Sequence, residues 1–153
     1  RCAIVTGVQT CALPISGGDL AQIHNNRGFS RLLQGRPDAA IADLSAALRH
    51  APGMRVAETN MRLALAWRGD YARAVSGVAQ DERGAALNNA GFVALMRGDY
   101  PAAERYLSRA LDKHAGFNKQ AYRNLTFLRS VKGESELAAD PRGGPVSVQE
   151  SEL

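Results

Sequence analysis

The sequence predicts an all-α chain assembled from repeated helical hairpins. Three observations carry that expectation: the amino-acid usage, the spacing of the apolar residues, and an internal repeat. Of 153 residues, 45% are hydrophobic, yet only 6% are aromatic and 26 are alanine. Alanine is the best helix former, whereas strands are enriched in β-branched and aromatic residues. The length suits one domain with one continuous core, and the apolar content excludes a wholly disordered chain. No stretch approaches the roughly 18 uncharged apolar residues that a membrane-spanning helix requires.

The repeat emerges when Gly28-Phe29 and Gly91-Phe92 are placed in register. NNRGFSRLLQGRPDAAIADLSAAL then lies over NNAGFVALMRGDYPAAERYLSRAL. A middle copy is marked by Arg68-Gly69-Asp70-Tyr71, which matches Gln34-Gly35-Arg36-Pro37 and Arg97-Gly98-Asp99-Tyr100. Gly35 and Gly69 are 34 residues apart, but Gly69 and Gly98 only 29. The deficit falls after Val78, in the second helix of the middle copy.

Each element follows in order. A first helix is expected over 20–34, closed by Gly35, which suits the left-handed position that ends a helix. A second, over 37–50, sets Ala40, Leu44, Ala47 and Leu48 on one face and stops ahead of Pro52. A third runs over 54–68 to Gly69, and a fourth, over 71–80, belongs to the shortened copy. The fifth, over 84–97, ends at Gly98. The sixth, over 100–114, repeats the apolar face with Ala103, Leu107, Ala110 and Leu111, and carries Pro101 where a missing N–H is harmless. A seventh, over 118–131, caps the array.

The two ends read differently. From Gly133 onward, GESELAADPRGGPVSVQESEL holds five acids and one arginine, a net −4, which predicts a disordered acidic tail over 133–153. At the other end, residues 1–16 (RCAIVTGVQTCALPIS) show no capping or periodicity. VTGVQTCALPI resembles the translation of a common short-read sequencing adapter, so 1–16 is read as a non-native segment and the remainder as a C-terminal fragment. Both cysteines, Cys2 and Cys11, fall in that segment and leave the helical region of 17–132 without one.

The repeated pattern resembles the tetratricopeptide repeat (TPR) family over residues 20–132. The first copy matches its small, large and proline positions with Gly28, Ala40, Leu44, Ala47 and Pro52; the third matches with Gly91, Ala103, Leu107 and Ala110. The middle copy keeps Ala74 but has Arg62 at the small position, and Ala115 stands where the third copy's proline is usual. The resemblance implies a solenoid of about three helix–turn–helix repeats plus a capping helix. Together with the short middle copy and the final AYRNL, the chain looks most like the TPR lipoproteins of Tad (tight-adherence, Flp-type) pilus assembly systems. That implies an assembly factor on the periplasmic side of the outer membrane, held there only by an N-terminal lipid. Its partner would be the secretin or another component of the pilus machinery. A general TPR adaptor or co-chaperone, cytoplasmic in location, or an accessory domain of a larger enzyme, is the alternative.

Within this frame Asn26, Asn60 and Asn89 recur at one position of successive first helices, and Asn124 extends the series. Asparagine is a mediocre helix former, so its recurrence needs a cause. In TPR scaffolds that position faces a concave groove, where a carboxamide can both donate to and accept from the backbone of an extended peptide. Phe29, Leu63 and Phe92, then Leu32, Leu33, Trp67, Leu95 and Met96, would supply apolar pockets. The competing reading makes the asparagines interhelical hydrogen bonds and the apolar residues core.

Catalysis finds no support in the sequence. His24, His50 and His114 lie on different predicted helices without a metal-ligand neighbour at i+4, and the serines lack a nucleophile-elbow setting. Asp99 with Glu104, and Asp81 with Glu82, read as surface charge. No cofactor or metal is expected. The net charge of +4, with arginines spread around the helices and no interleaved aromatics, argues against nucleic acid.

Overall fold

The structure, a computed structural model, describes residues 17–111 and 119–139. They form seven helices and no strand: α1 (Gly17–Leu33), α2 (Pro37–His50), α3 (Arg55–Arg68), α4 (Tyr71–Ala74), α5 (Arg83–Met96), α6 (Tyr100–Ala110) and α7 (Lys119–Ala139). The all-α expectation holds for the described residues. None of these helices is long and apolar enough to cross a membrane. The helices divide between two compact units, one ending at Arg68 and the other beginning at Gly69.

In the first unit α1 and α2 form a hairpin and α3 lies against both. The α1–α2 turn follows from Gly35, at φ +70°. Its N–H donates to the Leu32 carbonyl at 3.0 Å and that of Arg36 to the Arg31 carbonyl at 3.0 Å, which closes the last turn of the helix. Pro37 then opens α2. Leu32, Ala40, Leu44, Ala47, Ala57 and Ala64 make the buried core. A Cβ at Gly28 would lie 2.8 Å from Leu44 Cγ, so the missing side chain is what lets α1 meet α2.

The second unit repeats the design with α5, α6 and α7. Gly98, at φ +75°, makes the same turn, its N–H donating to the Leu95 carbonyl at 3.0 Å and that of Asp99 to the Ala94 carbonyl at 2.9 Å. The Asp99 carboxylate accepts from the Ala102 N–H at 3.2 Å, capping α6. Gly91 sits against Leu107 as Gly28 sits against Leu44. Lys132 Nζ on α7 donates to Glu104 Oε2 on α6 at 3.0 Å.

Three helices differ markedly from their expected lengths: the sixth, expected over 100–114, ends at Ala110 with Leu111 as its C-cap. The fourth was expected over 71–80 but ends at Ala74, and turns occupy the stretch that follows. Gly77 there adopts φ +64°, a conformation that a helix excludes. The last helix continues through Gly133 to Ala139, into the predicted tail. Glu, Leu and Ala in this stretch are good helix formers, and their helical preference outweighs the polar composition. The expectations for 1–16, for His114 and Ala115, and for 140–153 lie outside the described residues.

Candidate functional site

The asparagines form two matching relays, one in each unit. In the first, Asn60 Nδ2 on α3 donates to Asn25 Oδ1 on α1 at 3.0 Å. Asn25 Nδ2 donates in turn to Asn26 Oδ1 at 3.3 Å, which also accepts from Gln22 Nε2 at 3.2 Å. In the second, Asn124 Nδ2 on α7 donates to Asn88 Oδ1 on α5 at 2.9 Å, and Asn88 Nδ2 donates to Asn89 Oδ1 at 3.4 Å. Asn25, Asn60, Asn88 and Asn124 are buried. Asn26 is exposed and Asn89 half-buried.

The expected series therefore separates. Asn60 and Asn124 tie one helix to another, whereas Asn26 and Asn89 remain partly open to a ligand. The residues that the sequence reading passed over are Asn25 and Asn88. Their signal was the doublet Asn-Asn in both NNRGF and NNAGF. A buried carboxamide that loses its partner retains its desolvation cost. Asn25→Ala, which strands Asn60, is accordingly expected to destabilise by about 1–2 kcal/mol, and Asn26→Ala by less than about 0.5 kcal/mol. Urea unfolding followed by circular dichroism checks the difference.

The apolar candidates divide as well. Leu32 and Leu95 are buried and belong to the core, and Leu63 is partly buried against it. Phe29, Phe92, Met96 and Trp67 are instead 41%, 43%, 57% and 36% exposed, and Leu33 is exposed too. Phe29 follows Asn26 by three residues on α1 as Phe92 follows Asn89 on α5, so each pair shares a helix face. Each unit thus presents an exposed phenyl ring one turn from a carboxamide.

A second polar cluster joins α1 to α2 in the first unit. The buried Asp43 carboxylate on α2 accepts from Arg27 Nη2 at 2.6 Å and Nε at 3.0 Å, and pairs with Arg31 Nη1 at 2.7 Å. His24 Nδ1 stands 3.9 Å away, and its ring stacks on His50 at 5.6 Å between centroids. The Arg27 hydrogen bonds, aided by the nearby positive charges and opposed by burial, hold the Asp43 carboxyl below its usual value. The same bonds raise the Arg27 guanidinium. At the matching places in the second unit stand Tyr106, Leu87, Ala90 and Ala94, all buried. The Tyr106 ring lies 5.7 Å from that of Tyr71 and 5.0 Å from the Arg105 guanidinium. Burial pushes the Tyr71 phenol up.

Asp43 lies beyond the site expected from sequence, although an acid between Ala40 and Ala47 on the apolar face of α2 was a readable signal. The carboxylates considered earlier do structural work where their partners are seen: Asp99 caps α6 and Glu104 pairs with Lys132. Among the described residues no three His, Cys, Asp or Glu side chains gather where they could hold a metal ion. No protein-family model matches the chain, and no curated protein matches it.

Proposed function

We propose that the chain is a non-catalytic scaffold of the TPR type that holds a segment of another protein. The observation that carries this is the register-matched pair of exposed faces, Asn26 with Phe29 and Asn89 with Phe92 and Met96. A large apolar side chain left in water gains most when a partner covers it, and an adjacent carboxamide can fix the partner's backbone. Trp67 adds a third exposed ring, on α3. The resemblance to Tad pilus lipoproteins makes the bound segment part of an outer-membrane pilus machine, with the secretin the first candidate.

The test is fluorescence anisotropy with labelled peptides tiling a Tad-type secretin and its neighbouring pilus components. Saturable binding by one peptide is expected. Phe29→Ala or Phe92→Ala should weaken it about ten-fold, the loss of roughly 1.4 kcal/mol, with unchanged helix content. Affinity unchanged from that of the parent chain in both variants, or no binding by any peptide, rejects the reading.

A further inference from the structure

One side of α7 is buried and another is bare. Ala121, Asn124, Leu125 and Leu128 are buried, whereas Lys119, Arg123 and Phe127 are exposed, the phenyl ring to 56%. These three recur every four residues and so form one row along the helix, at steps of about 6 Å. The charge around the row has one sign: residues 113–133 hold Lys113, Lys119, Arg123, Arg129 and Lys132 and no acid. Beyond the end of α7 at Ala139 the sequence continues DPRGGPVSVQESEL. Gly143-Gly144, set between Pro141 and Pro145, suits a reversal of the chain. After it Val146, Val148, Glu150 and Glu152 alternate with Ser147, Gln149 and Ser151. In an extended chain those four share one side, at steps of about 6.7 Å.

We infer that residues 145–153 fold back along α7, antiparallel to it, and cover this row. Val148 then lies over Phe127, Glu150 beside Arg123 and Glu152 beside Lys119. The two steps nearly match, and the segment's order of apolar, acid, acid meets the helix's order of apolar, base, base. The reach is sufficient: Lys119 lies about 30 Å along the helix axis from Ala139, and residues 145–153 extend about 30 Å. Attachment to α7 supplies the segment at an effective concentration on the order of 1 mM, so a few modest contacts hold it. An acidic segment of another protein would meet the same row without that advantage. The inference does not depend on peptide binding, because Lys119, Arg123 and Phe127 lie outside the faces proposed to hold the partner.

The test is carbodiimide cross-linking of the full chain, as an equal mixture of isotope-labelled and unlabelled protein, read by mass spectrometry. The reagent condenses a lysine amine with a carboxylate beside it. The chain's lysines are Lys113, Lys119 and Lys132. A freely swinging segment would join Glu150 and Glu152 mainly to Lys132, the lysine nearest to them in sequence. The docked segment joins them mainly to Lys119, within one chain. Val148→Ser, which leaves every residue of α7 unchanged, should lower the yield at Lys119 about five-fold, and about 0.5 M sodium chloride should lower it too. Lys132 as the main acceptor, or an unchanged yield at Lys119 in Val148→Ser, overturns the inference. So do Lys119 adducts that join labelled to unlabelled chains, because the row would then serve a second copy.

Discussion

Leu107→Ala is expected to destabilise the second unit by about 2–5 kcal/mol, and Gly91→Ala by about 1–3 kcal/mol, with the double variant costing clearly less than the sum. Leu107 is fully buried, so its truncation loses transfer energy and leaves a cavity. Gly91→Ala fails for the opposite reason. A Cβ there would lie 2.7 Å from Leu107 Cγ, 2.9 Å from its Cδ2 and 3.0 Å from its backbone nitrogen. Side-chain movement relieves the first two clashes, but the third requires α6 to move. Alanine's intrinsic helical advantage over glycine, about 1 kcal/mol, recovers only part of that. In the double variant the new methyl occupies space that the leucine has left, so the coupling is favourable and on the order of 1 kcal/mol. Urea midpoints for the four members of the cycle check it. Additive costs would mean that α5 and α6 adjust independently of this contact.

The same pair of residues explains what could be read without coordinates. A glycine in the middle of a helix is costly, so Gly28 and Gly91 signalled close approach, and the leucines sixteen residues further on completed each contact. Gly35, Gly69 and Gly98 marked the turns because only a left-handed residue closes a helix there cheaply, and all three have positive φ. Helix length was less legible. Residues 71–80 contain ordinary helix formers around Gly77, and propensity alone did not show that the chain turns after Ala74.

The asparagine relays were half legible, for a geometric reason. Repeat register identifies residues that occupy equivalent places, such as Asn26 and Asn60. It does not identify contacts, because a helix meets the preceding one with a different side from that which it shows to the next. Asn60 therefore reaches Asn25, the neighbour of its own equivalent. Exposure of Phe29 and Phe92 was likewise beyond periodicity, since an apolar residue one turn from the core stripe reads as core until the neighbouring helix is placed. Asp43 was hidden by the attention that Ala40, Leu44 and Ala47 draw to the apolar stripe.

Asp43→Asn is expected to cost about 2–3 kcal/mol at neutral pH and progressively less in acid. The carboxylate is buried, with a side chain only 4% exposed, and it offsets Arg27 and Arg31 together. Removing its charge leaves two guanidinium groups facing an amide. The full penalty for breaking a buried pair, about 3–5 kcal/mol, is reduced because the Arg27 side chain is 52% exposed and can turn to water. The pH dependence follows from the direction of the shift. The folded carboxyl titrates below its unfolded value, so its contribution is complete above that value and disappears as pH falls through the folded one. The gap between the parent chain and Asp43→Asn should therefore hold from pH 7 down to about 5, then close below about pH 4. The arginines stay charged throughout that window. Urea unfolding of both chains across this range checks it. A gap independent of pH would assign the stabilisation to the shape and hydrogen bonds of residue 43 rather than to its charge.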